Sequence, residues 1–167
     1  MSAATSSFSI RPATPGDVAA LSAILNRIIE IGGTTAFEIP LSPAEFETLF
    51  VTGPEVLGCL MAETPGGEAL GFQWLGRKAS LPAGWADIAT FTRREPRVPG
   101  VGAALFDATK AAARALGLTA INATIRADNY AGIPFYEKMG FLTYAVEPGV
   151  PLEDGTPVDR VSKAYRL

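Results

Sequence analysis

The 167-residue chain contains no histidine and a single cysteine, Cys59. Without histidine, Ser-His-Asp and Cys-His catalysis are excluded, and a zinc site lacks its usual nitrogen ligand. One thiol can form neither an internal disulfide nor a cysteine metal cluster, so no metal is expected. Charge is sparse as well: Asp, Glu, Lys and Arg make up 19% of residues, and the net charge is −3. That balance argues against general nucleic-acid binding, and no nucleic-acid partner is expected. No stretch offers about 18 uninterrupted apolar residues, and MSAATSSFSI has neither a basic n-region nor an apolar h-region. A cytoplasmic protein with no membrane partner is expected.

What is present is ample apolar material, 48% of residues. A chain of this length reads as one domain, residues 1–167, able to bury roughly 68–70% of its unfolded surface. FSIRPAT reads as a first strand. Thr14-Pro15-Gly16-Asp17 then opens a helix, with threonine at the cap and proline at the first position. Val18, Leu21, Leu25, Ile28 and Ile29 follow at helical spacing until Gly32-Gly33 stops the run. Ser42-Pro43-Ala44-Glu45 repeats the device for a short helix to about Phe50. VLGCLMAE and ALGFQWLG flank Pro65-Gly66-Gly67-Glu68 as two antiparallel strands, with Cys59 expected as a buried, inert thiol. GWADIATFTR is a further strand. A helix over 101–116 is expected to share Val101, Leu105, Ala108, Ala112 and Leu116 on one face. AINATIRA is a strand, DNYAGIPFYEKMG a short helical stretch, and GFLTYAVE and VDRVSKAYRL are late strands.

The segment REPRVPGVGAAL, between a strand and an alanine-rich helix, poses the functional question. A P-loop requires Gly-Lys-Ser/Thr, which is absent, and a Rossmann fingerprint requires an acid where Ala120, Ile121 and Asn122 stand. What remains is a strand, the loop Arg97-Val98-Pro99-Gly100-Val101-Gly102, and a helix. Small residues at a helix start expose unpaired N–H groups to an anion such as a pyrophosphate, although the same composition also makes a plain turn.

Two motifs in order raise the specificity. Arg97-x-x-Gly100-x-Gly102 resembles the acyl-CoA-binding signature Gln/Arg-x-x-Gly-x-Gly/Ala of the GNAT family of N-acetyltransferases. Asn129, seven residues before the tyrosine of Phe135-Tyr136-Glu137-Lys138-Met139-Gly140-Phe141, resembles that family's later motif. The succession of elements is similar over nearly the whole chain. IRPAT and the region from Asn26 to Phe37 resemble the branch acting on phosphinothricin and related amino acids, although that branch commonly has Leu-His in place of Phe135-Tyr136.

The resemblance implies an α/β (α+β) fold: a mixed, mostly antiparallel twisted sheet of about six or seven strands flanked by about four helices. It implies direct attack of a primary amine on acetyl-CoA, without an acetyl-enzyme and without a metal. It places Arg97, Val98, Gly100, Val101, Gly102 and Ala103 at the CoA phosphates, main-chain groups of Ala89, Thr90 and Phe91 along the pantetheine arm, and Asn129 and Gly132 near that arm. Asn129 reads equally as a helix cap. Arg93 and Arg94 read as phosphate contacts or as solvated charges. Tyr136 is implied as the acid that protonates the departing thiolate, against a packing role, and Asp87 as the group drawing off the amine's proton, against a plain strand carboxylate. Substrate contacts are expected from Asn26, Glu30, Thr34, Phe37, Trp74 and Arg77. The Val98-Pro99 pair departs from the family's usual glycine and basic or polar residue, and proline removes an N–H from the cradle. The activity expected is acetylation of a small-molecule amine, an amino acid or similar compound, by a homodimer. A non-catalytic acyl-CoA-binding module and an enzyme acting on protein or peptide N-termini are the alternatives.

Overall fold

A computed structural model describes residues 7–167; residues 1–6, part of the stretch read above for a leader, lie outside the described residues. The chain runs β1 (Ser9–Pro12), α1 (Val18–Ile31), α2 (Pro43–Glu47), β2 (Val56–Glu63), β3 (Ala69–Gly76), β4 (Trp85–Thr92), α3 (Val101–Ala115), β5 (Ala120–Arg126), α4 (Gly132–Met139), β6 (Leu142–Pro151) and β7 (Pro157–Arg166). The strands form one seven-stranded sheet in the order β1-β2-β3-β4-β5-β7-β6. Every neighbouring pair is antiparallel except β4 and β5. This is the mixed sheet and helix complement that the resemblance implied.

Local chemistry explains the helix starts. Asp17, more than Thr14, caps the entry to α1: its carboxylate accepts from the Thr14 N–H at 2.8 Å and from the Thr14 hydroxyl at 3.0 Å. Arg11 of β1 donates to both Asp17 oxygens and reaches Glu63 of β2, tying the helix start to the sheet edge. That guanidinium holds Asp17 at about 2. Ser42 accepts from the Glu45 N–H, as its capping pattern required, and α2 then widens into a π turn over Thr48–Thr52. Gly32, with φ of 79°, ends α1 in a backbone conformation that side chains resist.

The two faces of the sheet carry different cores. Leu21, Leu25 and Ile28 of α1 and Phe46 of α2 pack with Phe50 onto Met61, Phe72 and Phe91. On the other face α3 and α4 cover Leu75, Ile88, Ile121 and Ile125 through Phe106, Tyr136 and Phe141. Cys59 is buried and desolvation pushes its thiol up to about 12, so it is unreactive packing. The buried face of α3 differs from expectation. Val101, Leu105, Phe106, Thr109 and Ala113 face inward, whereas Ala112 and Leu116 are exposed and Ala108 is only half-buried. The bulky Phe106 ring packs on Phe141 and Tyr165 and turns the helix toward its own side.

The parallel pair creates the opening that matters. β4 and β5 stay in register for only three residue pairs, ending at Asp87 opposite Asn122, although both strands continue. Beyond that point they splay, and the sheet has a gap with α1 and α2 on one side and α3 and α4 on the other.

Candidate functional site

The splayed strand presents main-chain groups to the gap at alternate positions. The Arg93 N–H donates to the Leu70 carbonyl at 2.8 Å, which fixes the β3–β4 parity. Ala89 and Phe91 therefore direct their N–H and C=O groups to β3, and Ile88, Thr90 and Thr92 direct theirs away from β3, toward the gap. Of the three strand residues expected along the pantetheine arm, only Thr90 has its main chain there. Ala89 and Phe91 contribute side chains instead, packing on the α1 face.

A cavity of about 320 Å³ lies on the α3–α4 side of the gap. The strand-to-helix loop forms one wall. Gly100 occupies the cap position of α3 with φ of 85°, and the first main-chain helix bond to it comes from Ala104. The N–H groups of Val101, Gly102 and Ala103 consequently have no main-chain acceptor, and all three residues line the cavity. With the helix dipole behind them they suit an anion. Pro99 precedes the cap, so its missing N–H is outside this first-turn set. Val98, the other departure from the family pattern, anchors the loop against the cluster of Leu70, Val101 and Leu105. Arg94, Arg97 and Lys138 line the same cavity. Arg93 is held by Glu68 and by the Pro96 carbonyl, whereas Arg94 donates to the Thr34 hydroxyl at 3.2 Å.

Two glycines of the motifs are small for a reason the sequence did not disclose. A Cβ on Gly102 would stand 2.8 Å from the Phe135 ring, and one on Gly132 would stand 2.4 Å from Asn129 Nδ2. Gly102 therefore lets α4 approach α3, and Gly132 makes room for Asn129. Asn129 caps α4, accepting from the Gly132 N–H at 2.8 Å, while its Nδ2 donates to the Thr34 carbonyl at 2.8 Å. Both ends of this side chain are thus engaged within the protein. Pro134 sits in the first turn of α4, where no N–H is required.

A second cavity, of about 500 Å³, lies on the α1–α2 side. Thr34, Thr35, Thr90, Phe91, Asn129 and Tyr136 border both cavities, so the two communicate at the gap. Of the residues named above as substrate contacts, Thr34, Phe37 and Trp74 line the second cavity. The structure does not bring the other three there. Asn26 is spent on Leu41, exchanging hydrogen bonds with its N–H and C=O at 2.9 Å each. Glu30 is exposed beside Arg27, and Arg77 turns to the Pro54 carbonyl. Asn26 and Glu30 lie on α1, and Arg77 lies just past the end of β3.

Tyr136 borders both cavities, and Asp87 lines the second. Asp87 Oδ1 accepts from Asn122 Nδ2 at 2.8 Å, and Lys78 Nζ lies 4.0 Å from Oδ2. Asn122 is itself oriented by the Tyr144 hydroxyl, which donates to its Oδ1. Burial raises the Asp87 carboxyl above its usual range, only partly offset by Asn122 and Lys78. The Tyr136 hydroxyl lies 2.9 Å from Thr90 Oγ1 and is pushed up to about 12, first by burial, with the charge of Asp87 adding to it. Asn122, Tyr144, Arg126 and Arg160 were not foreseen. A lone asparagine inside the apolar strand AINATIRA was the available signal for the first.

Arg126 lines the second cavity but is paired bidentately with Asp128. Two residues that line that cavity each carry a buried donor without an acceptor among the described residues: Trp74 Nε1 and Arg160 Nη1. Also among the described residues, no helix is long and apolar enough to cross a membrane, and no group of three or more Cys, Asp or Glu side chains could hold a metal.

Comparison with known proteins agrees with this arrangement. The profile of the Acetyltransferase (GNAT) family matches residues 29–141. An L-methionine sulfoximine/L-methionine sulfone acetyltransferase of Pseudomonas aeruginosa is 31% identical over 158 residues, covering 92% of this chain and 91% of the relative. Among solved structures, an N-acetyltransferase from Staphylococcus aureus Mu50 superimposes with a TM-score of 0.85 at 23% identity, over 96% of this chain and 99% of that one. A GNAT superfamily phosphinothricin acetyltransferase from Sinorhizobium meliloti, solved in complex with acetyl-CoA, gives 0.83 at 19% identity, over 96% and 88%. The chain belongs to the GNAT family and is an acetyl-CoA-dependent acetyltransferase.

Proposed function

We propose that the protein acetylates the primary amine of a small, amino-acid-like molecule that carries an oxyanion or strongly polar oxygens. The observation that carries this reading is that two residues lining the cavity that also holds Asp87, Trp74 and Arg160, each carry a buried donor, Nε1 and Nη1, with no acceptor among the described residues. A buried donor without an acceptor is costly, and a carboxylate or sulfone-type oxygen supplies one. The named acceptors of the Pseudomonas relative have that chemistry. In this reading acetyl-CoA occupies the α3–α4 cavity, its pyrophosphate on the Val101, Gly102 and Ala103 N–H groups beside Arg97, and its acetyl end reaches the gap.

The residues at the gap then divide the proton work. Asp87, raised by burial and held by Asn122, takes a proton from the amine, directly or through water. The amine nitrogen bonds to the thioester carbonyl carbon, and an N–H group turned into the gap, that of Thr90, supports the oxygen as it becomes negative. The C–S bond breaks with its electron pair on sulfur, and Tyr136 supplies the sulfur's proton. The charge of Asp87 raises Tyr136. Once Asp87 holds the amine's proton that repulsion is gone, so the acid strengthens when it is needed.

A homodimer acting in the cytoplasm completes the proposal. The exposed Leu142, Tyr144 and Val146 on edge strand β6 support self-association, and use of acetyl-CoA supports the compartment. Thiol release from acetyl-CoA with free amino acids, methionine sulfone, polyamines, aminoglycosides and short peptides tests the function. Turnover confined to peptides, or none with any amine, would overturn it.

A further inference from the structure

Gln73 and Thr90 are directly opposed on β3 and β4, at a pair that exchanges no main-chain bonds, where side chains approach most closely. Gln73 is 1% exposed, and its Nε2 donates to Thr90 Oγ1 at 2.9 Å. Its Oε1 has no partner among the described residues. Leu75 and Ile88, on the same face of the sheet, are apolar, so packing alone would favour leucine or methionine at this place. A buried amide kept at the cost of an unpaired oxygen asks for a reason.

Proton counting supplies one. A hydroxyl has a single proton to give. Thr90 Oγ1 and the Tyr136 oxygen lie 2.9 Å apart and either can donate; the bond from Gln73 fills one of the two Thr90 lone pairs and polarises its O–H, which favours Thr90 as the donor to Tyr136. The Tyr136 proton is then left for the gap. With an acceptor in place of the Gln73 N–H group the sequence would reverse, and Tyr136 would give its proton to Thr90 and turn an oxygen lone pair to the leaving group.

We propose that Gln73, acting through Thr90, is a positioning residue that sets the direction of the Tyr136 hydroxyl and aims its proton at the departing sulfur. This rests on Tyr136 being the proton donor. In the step concerned the C–S bond breaks, its electrons pass to sulfur, sulfur takes the Tyr136 proton, and the tyrosine oxygen regains a proton from water. No other reactant is required.

Steady-state kinetics with acetyl-CoA and an amine that supports wild-type turnover test the relay. Thr90→Val and Gln73→Met each lower kcat about ten-fold while the KM for acetyl-CoA stays within about two-fold. Thr90→Ser, which keeps the hydroxyl, restores the rate. In the double variant Thr90→Val/Tyr136→Phe the loss equals that of Tyr136→Phe alone, because the two act as one unit. Multiplying losses in the double variant, or wild-type kcat in Thr90→Val beside a slow Tyr136→Phe, would overturn the relay and leave the donor role of Tyr136 standing. Wild-type turnover in Tyr136→Phe would remove that role and the relay with it.

Discussion

Replacing Tyr136 with phenylalanine removes one oxygen and keeps the ring that packs against Phe135 and Phe141. Among the described residues the hydroxyl's side-chain partner is Thr90, which keeps its bond from Gln73. The stability cost is therefore that of a single buried hydrogen bond, about 1 kcal/mol, or a Tm lower by about 2–4 °C for a chain of this size. The kinetic cost follows from acidity. Tyr136 is held at about 12, against about 8.5 for a free thiol, a gap of about 3.5 units or about 5 kcal/mol if the proton were fully transferred. Transfer must accompany C–S cleavage, and much of the benefit is a hydrogen bond to the developing thiolate. The expected loss in kcat is at the lower end of general-acid effects, about 10²-fold, with affinity for CoA unchanged. Since the acid must stay protonated, wild-type kcat shows no basic decline below about pH 11 from a group at about 12. Thiol release monitored from pH 6 to about 10, with calorimetry of CoA binding and a melting curve, reads all three quantities. A loss under about three-fold, or a Tm drop beyond about 10 °C, would refute the argument.

Three further outcomes follow from other parts of the molecule. Asp87→Asn lowers kcat most between the raised carboxyl and the amine's own pKa, where the carboxylate is ionised and the amine still protonated, and the defect shrinks at lower and higher pH; a pH-independent defect would contradict the base role. Gly100→Ala puts a Cβ on a residue with φ of 85° and costs about 1–2 kcal/mol, seen as a lower denaturant midpoint together with weaker CoA binding. Asp17 has a carboxyl lowered from 3.8 to about 2 by Arg11, so its contribution to stability is full above about pH 4 and lost as pH falls through about 2. In Asp17→Asn that acid loss is absent from the pH dependence of unfolding.

Strands, helices and the anion cradle were legible because they depend on local pattern. VLGCLMAE and ALGFQWLG are apolar runs that flank a Pro-Gly-Gly turn, and the Gly100 loop precedes an apolar-periodic helix. The site's interior was less legible because it depends on which faces meet across the sheet. Asn26 reads as a polar contact on a helix, yet Leu41 offers it a main-chain N–H and C=O that satisfy both ends. Gln73 and Asn122 read as isolated polar residues in apolar strands, and only the β3–β4–β5 register places them beside Thr90 and Asp87. Arg160 comes from the far end of the chain, and its approach to the cavity depends on β7 pairing with β5. Gly102 was read as room for a phosphate, and the contact that requires it is the Phe135 ring.

The central claim is that the α1–α2 cavity selects an amine whose attached oxygens answer Trp74 and Arg160. The most direct measurement is kcat/KM for L-methionine sulfone against 3-(methylsulfonyl)propylamine, the same amine without its carboxylate. One well-formed charge-assisted hydrogen bond is worth about 1.5–3 kcal/mol. The account predicts a preference for the amino acid of at least about ten-fold, and that preference disappears in Arg160→Met. Equal use of both amines by the wild-type enzyme, or a preference that survives in Arg160→Met, would contradict it.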